Sequence, residues 1–251
     1  MVSPREVARS LAITLAMLLV AAALVGLVYA ETPYGPDEDP EDLAPGVSVT
    51  ETETGEGYVL SDGPITDETV GLVFYPGARV APESYLPQLE PLVAQRDVVV
   101  IVPEMPLNFA IFDADAADGA MAANPEIERW YVGGHSLGGA MACEYADGAD
   151  DLEGLVLFAS YCASDLSETE LRGLSVLGTE DGVIDTERER EARANLPPET
   201  EIVEIEGMNH AQFGAYGPQR GDNPPRISDE AARERLSTTV IEWFEPVTEP
   251  R

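Results

Sequence analysis

Apolar and polar positions along this chain change period repeatedly, and each change marks an element. The first run is Ser10 to Ala30, 21 residues without a charge, dominated by Leu, Ala, Val and Ile. At about 1.5 Å rise per residue a helix of that length spans roughly 30 Å, one hydrocarbon core. Residues 31–47 are Pro-rich and acidic and read as an extended linker. Beyond them, short apolar runs alternate with helical spacing. Tyr58–Leu60 is a short strand candidate, and Val70–Tyr75 is an unbroken apolar run ending at Pro76-Gly77. Such a run is expected of a strand buried on both faces. Between Glu83 and Val93 the apolar residues Tyr85, Leu86, Leu89, Leu92 and Val93 recur at helical spacing. Asp97–Val102 is a second buried strand, stopped by Pro103, and Asn108–Ala122 reads as a helix. Trp130–Val132 is strand-like and Ala140–Tyr145 helix-like, the helix ending near Gly148. Leu155–Ala159, Gly173–Gly178 and Glu201–Ile205 are the remaining strands, with a charged helix over Asp185–Asn195. Ser228 is placed to cap a last helix with apolar positions Ala232, Leu236, Val240 and Trp243. The alternation predicts an α/β fold with a mainly parallel central sheet. No repeat period is visible.

The charges that flank the first run give it a direction. Arg5 and Arg9 precede it, and Glu31, Asp37, Glu38 and Asp39 follow. The positive-inside rule puts residues 1–9 in the cytoplasm and everything after residue 31 outside. Residues 10–30 are then a transmembrane anchor. A cleaved signal peptide is the competing reading, with Val28-Tyr29-Ala30 as its cleavage site, but the run exceeds a usual signal core. Residues 31–47 hold the domain off the membrane, residues 48–246 form that domain, and 247–251 are a tail.

Net charge changes the picture next. The formal charge is −33, and all 14 basic residues are Arg. With 44% hydrophobic residues and clear periodicity, the chain is folded rather than disordered. Its carboxylates form a solvated surface whose self-repulsion is tolerable where salt screens it, as in halophiles. The same charge excludes nucleic acid as a partner. It also disfavours anionic lipid on the folded surface.

In a parallel sheet the ligand crevice lies outside the carboxyl ends of the strands. Pro76-Gly77-Ala78-Arg79 follows the first long strand, and Gly178-Thr179-Glu180-Asp181-Gly182 and Gly207-Met208-Asn209-His210 follow two later ones. Between them stands Gly134-His135-Ser136-Leu137-Gly138, a G-x-S-x-G pentapeptide between a strand and a helix. This is a nucleophile elbow, in which a strained turn lifts the serine hydroxyl above the sheet. A serine hydroxyl needs a base to take its proton. The chain holds two histidines, and His135 is adjacent to Ser136, where neighbouring side chains diverge. His210 is therefore the expected base. Asp181, directly after its strand, is the expected partner of the imidazole, with Glu180 and Asp185 competing.

These residues resemble the α/β-hydrolase superfamily, and most closely its small, cap-less members related to dienelactone hydrolases and carboxylesterases. The resemblance runs from about Gly71 to Phe244, through Phe74–Ala78, Gly134–Gly138, Gly178–Gly182 and Gly207–His210. It implies the three-layer α/β-hydrolase fold and hydrolysis through an acyl-serine. It implies an oxyanion hole made of the Leu137 N–H and a second N–H from Ala78 or Gly77. The elbow carries Ser136 where dienelactone hydrolases proper carry cysteine. The expected partner is a small-molecule acyl substrate, with the membrane engaged through the N-terminal helix, and neither cofactor nor metal is expected. A catalytically inactive binding protein on the same fold, or a lactone or peptide hydrolase with the same triad, is the alternative. Other expectations are local. Cys143 and Cys162 are read as two unpaired thiols, although an exported compartment permits pairing. Asn108 is read as a helix cap, and Asp113, Asp115 and Asp118 as a solvated acidic face rather than a calcium loop. The Phe213–Ile227 loop is placed to wall the site, with Arg220 or Asp222 facing substrate.

Overall fold

The computed structural model describes residues 4–37, 44–52 and 57–248. A helix, α1 (Pro4–Ala30), leads into an eight-stranded sheet. The strands are β1 (Val47–Glu51), β2 (Gly57–Asp62), β3 (Val70–Tyr75), β4 (Val98–Pro103), β5 (Arg129–His135), β6 (Gly154–Phe158), β7 (Arg172–Gly178) and β8 (Thr200–Ile205). Their order is β1-β2-β4-β3-β5-β6-β7-β8. From β4 to β8 every pairing is parallel, while β1 and β2 add an antiparallel edge.

The alternation within each strand divides the core in two. Leu72, Phe74, Val98, Val100 and Tyr131 face α2 (Leu86–Gln95) and α6 (Asp229–Thr248). Val73, Tyr75, Val99, Ile101 and Val132 face the layer that holds α3 (Ala116–Ala123) and α4 (Leu137–Gly148). The fifth helix, α5 (Thr186–Ala192), begins at Asp185, whose carboxylate accepts the N–H groups of Glu187 and Arg188. A side chain at Gly71 would strike the indole of Trp130, so this glycine is what lets β3 and β5 pair with Trp130 between sheet and helix.

Several local expectations change. β1 begins at Val47, the last residue of the expected linker; its VSVTE sequence alternates, with Val47 and Val49 packed against the core and Ser48 and Thr50 exposed. The expected helix over Asn108–Ala122 is broken. Leu107 and Asn108 adopt left-handed backbone (φ 55° and 59°), and only Ala116–Ala123 is α-helical. Asn108 does not cap a helix of its own; its side-chain amide donates to the carbonyl of Ala30. The linker does not stand clear of the domain in its described part. Tyr34 bridges to Val80, and the Asp37 N–H donates to the Ala215 carbonyl. Residues 38–43 and 249–251 of the expected linker and tail lie outside the described residues.

The two cysteines form a disulfide, which corrects the expectation of free thiols. The sequence reading separated them, one inside α4 and one beyond β6. In the fold the chain after β6 turns back over α4, and the Cα atoms come within 5.5 Å. Gly139 makes this possible, since a Cβ there would lie 2.6 Å from Ser160.

Candidate active site

The carboxyl ends of β3, β5, β7 and β8 bring the expected residues to one edge of the sheet. Ser136 follows β5 with φ 53° and ψ −120°, a conformation that non-glycine residues rarely adopt. The strain is held by neighbours on every side. The Ser136 N–H donates to the Phe158 carbonyl, and the Ser160 hydroxyl donates to the Ser136 carbonyl. At Gly138 a Cβ would lie 2.1 Å from the Tyr75 carbonyl oxygen, so α4 starts in contact with the end of β3. The two flanking glycines of the pentapeptide thus answer a measurable closeness of strand, loop and helix.

Asp181 and His210 are buried and joined. The His210 ring donates from Nδ1 to Asp181 Oδ2 at 2.7 Å, and both side chains are almost inaccessible to solvent. Asp181 Oδ1 accepts the N–H groups of Val183 and Ile184. Three hydrogen bonds thus fix the carboxylate, and the imidazole is held with Nε2 bearing the free lone pair. The competing carboxylates are engaged elsewhere. Glu180 pairs with Arg226 at 3.1 Å, and Asp185 caps α5. The Ser136 hydroxyl makes no hydrogen bond among the described residues; serine–imidazole contacts of this kind often tighten only with substrate. The link between the two is instead visible one residue earlier, where the His135 ring packs on His210 with centroids 4.5 Å apart.

His135 has its own partner. The Gly77 N–H donates to the Tyr85 hydroxyl, which donates in turn to His135 Nδ1, each at 2.9 Å. Burial pushes the Tyr85 pKa far up, so the phenol stays protonated. Burial, reinforced by the neighbouring His210, pushes His135 well below the ordinary histidine value. His135 is then a neutral imidazole with its proton on Nε2, a buried atom without a hydrogen-bond partner among the described residues. Because the Gly77 N–H is taken by Tyr85, it is not free to bind an oxyanion. Neither the Ala78 nor the Leu137 N–H is bonded among the described residues.

The Phe213–Ile227 loop braces the site rather than lining it with the expected groups. The Asp222 carboxylate accepts from Gly182 N–H in the acid turn and from Ala211 N–H just after His210. It fastens the two loops together instead of facing substrate, and Arg220 is exposed. Gln212 and Asn209 bond reciprocally, and Gln212 also donates to Ile227 and Asp229. Tyr85 and Ser160 were not legible as site residues, while Asp222 was singled out with a different role. Tyr85 sits in an apolar helical stripe and reads as core, and Ser160 is a polar loop residue without a motif.

Solved structures with this architecture are numerous. A predicted CIB-like hydrolase from Thermoplasma acidophilum superposes with TM-score 0.61 at 13% identity, covering 79% of this chain and 99% of its own. A dienelactone hydrolase-like promiscuous phosphotriesterase from metagenomic libraries gives TM-score 0.60 at 16% identity, covering 81% and 100%. An alpha/beta hydrolase from the sediment metagenome of the Mar Chica lagoon gives 0.56 at 15%, covering 80% and 99%. At these identities the likeness is one of fold. No curated protein matches the sequence. The model of the alpha/beta hydrolase family matches residues 71–234, from the start of β3 into α6, and the chain belongs to that family.

Proposed function

We propose that this chain is a membrane-anchored, extracytoplasmic serine esterase working through an acyl-serine. The observation that carries the reading is the Asp181–His210 pair beside a serine held in the strained elbow conformation. In the reaction, Ser136 Oγ bonds the ester carbonyl carbon as its proton passes to His210 Nε2. The carbonyl oxygen takes the electron pair and is bound by the N–H groups of Leu137 and Ala78. Such preorganised donors commonly supply about 3 kcal/mol each. Collapse expels the alkoxide, which takes the proton from His210. Water then gives its proton to His210 and attacks the acyl carbon. Oγ leaves with that proton and the carboxylic acid is released. Asp181 stays ionised and stabilises the imidazolium.

Retention of α1 is supported by contacts on both sides of the Val28-Tyr29-Ala30 cleavage site. Arg79 donates to the Tyr29 and Thr32 carbonyls, and Asn108 to that of Ala30. Placement outside the cytoplasm is supported by the Cys143–Cys162 disulfide, which persists in oxidising compartments.

The test is turnover of a chromogenic short-chain ester in molar KCl. Ser136→Ala and His210→Ala are each expected to lose about 10⁴-fold or more in kcat. A fluorophosphonate is expected to label the wild type and not Ser136→Ala. Full turnover by folded Ser136→Ala would remove Ser136 as the nucleophile.

A further inference from the structure

The net charge of −33 covers this protein with carboxylates, yet a few large apolar side chains stay exposed outside α1. Among the described residues these are Leu107 (37% exposed), Ile111 (57%), Phe112 (61%) and Val183 (38%). All four lie on loops at the carboxyl edge of the sheet. Three follow β4 and the fourth follows β7, so they stand on opposite sides of the β5 elbow. With four strand spacings between β4 and β7, the two loops are roughly 20 Å apart across the mouth of the site.

The apolar helix ends at the same place. Its apolar span runs from Ile13 to Ala30, so its far boundary is the last turn, where Tyr29 stands at the level favoured by interfacial aromatic residues. That turn carries no basic residue of its own, and the domain supplies the missing groups. The Arg79 guanidinium covers the Tyr29 ring at 3.5 Å while donating to the Tyr29 and Thr32 carbonyls. Asn108 donates to the Ala30 carbonyl, and the Asn108 carbonyl accepts the Arg79 N–H. Arg79, Leu107 and Asn108 all have left-handed backbone, a disfavoured conformation that the junction holds in place. Arg79 directly follows Ala78, the proposed oxyanion donor. On the other side, Tyr34 packs on Tyr216, and Tyr216 on His135. The chain leaving the helix therefore runs along the rim of the site.

We propose that the site opens onto the outer leaflet of the membrane that α1 crosses, with Leu107, Ile111 and Phe112 inserted in its headgroup region. Its substrates are amphiphilic acyl esters drawn from that leaflet. The substrate class rests on the ester chemistry proposed for Ser136, and the membrane contact rests on the retained α1 proposed above. An acidic domain reaches a lipid surface by apolar insertion rather than by charge, and high salt assists by screening.

The test uses the full chain reconstituted in phosphatidylcholine vesicles in molar KCl. Phe112→Trp is compared with wild type, whose Trp130 and Trp243 are buried. Brominated phosphatidylcholine labelled near the headgroup is expected to quench the new tryptophan; no quenching overturns the membrane contact. In parallel, L107S/I111S/F112S is assayed on a soluble short-chain ester and on a long-chain fluorogenic ester dissolved in the vesicles. Turnover of the soluble ester is expected to stay within about twofold, while that of the vesicle-borne ester falls about tenfold or more. Equal effects on both esters overturn the substrate assignment. Quenching in a wild type that hydrolyses neither ester overturns the ester chemistry and leaves the membrane contact standing.

Discussion

Tyr85 and His135 form a buried polar pair beneath the elbow, and its geometry sets a pH dependence. His135 is held neutral, its pKa well below the ordinary value of 6.5. The unfolded chain binds a proton at that value and the folded chain does not. Stability from this group is therefore complete above about pH 6.5 and is lost as pH falls from there towards the folded value. One proton limits the slope to about 1.4 kcal/mol per pH unit. In His135→Asn the amide oxygen stands near the Nδ1 position and does not titrate. Denaturant melts at pH 7.5 and 5.5 are expected to show a larger loss in wild type than in His135→Asn; equal losses would mean His135 is protonated in the fold. The sequence made Ser136 and His210 legible because a strained elbow and a scarcity of histidines leave few choices. Asp181 was legible by its place after a strand. The use of His135 was not, because it depends on a tyrosine fifty residues away that periodicity assigns to the core.

At the scale of elements, the site is three loops that must hold one geometry. Asp222 is the tie, bonded to Gly182 of the acid turn and Ala211 of the histidine loop. It acts through these loops and touches no reacting atom. Asp222→Ala leaves three N–H groups unpaired, those of Gly182, Ala211 and Asn223, and lets the Asp181–His210 contact drift. Displacements near 1 Å cost about 10²-fold in oriented reactions, so kcat is expected to fall about 10- to 100-fold with KM little changed. Asp222→Asn keeps one acceptor oxygen and is expected to recover part of the loss. An equal fall in KM and kcat, or none, would make Asp222 a plain surface residue. The parallel strands were legible because burial on both faces writes them as unbroken apolar runs. β1 was passed over because its alternation holds only two apolar residues, Val47 and Val49, and abuts the acidic linker. The helix expected from Asn108 was misread because composition does not register the left-handed turns at Leu107 and Asn108. Those turns are set by contacts with Arg79 and Ala30, far away in sequence. The disulfide was missed for the same reason, since the loop after β6 folds back only because Gly139 leaves room for Ser160.

For the whole molecule, charge dominates. With 47 acidic residues against 14 arginines, most carboxylates have no cationic partner. Several arginines are already committed, Arg79 to α1, Arg226 to Glu180, and Arg193 to Glu189 and Glu204. The exposed pairs contribute little each, and so few arginines cannot offset a general repulsion among this many carboxylates. Screening can, because the Debye length falls from about 10 Å at 0.1 M salt to about 3 Å at 1 M. Folding concentrates the carboxylates on a small surface, so low salt penalises the folded chain more than the unfolded one. Diluting from 2 M to 0.1 M KCl is expected to lower Tm by about 10 °C, equivalent to roughly 3–4 kcal/mol for a domain of this size. Repulsion also vanishes when the carboxylates are protonated, so the salt effect should shrink as pH falls towards about 4. That convergence separates screening from a general effect of salt on apolar burial, which would persist at every pH. A salt dependence of Tm as steep at pH 4 as at pH 7.5 would show that the carboxylates are not its cause.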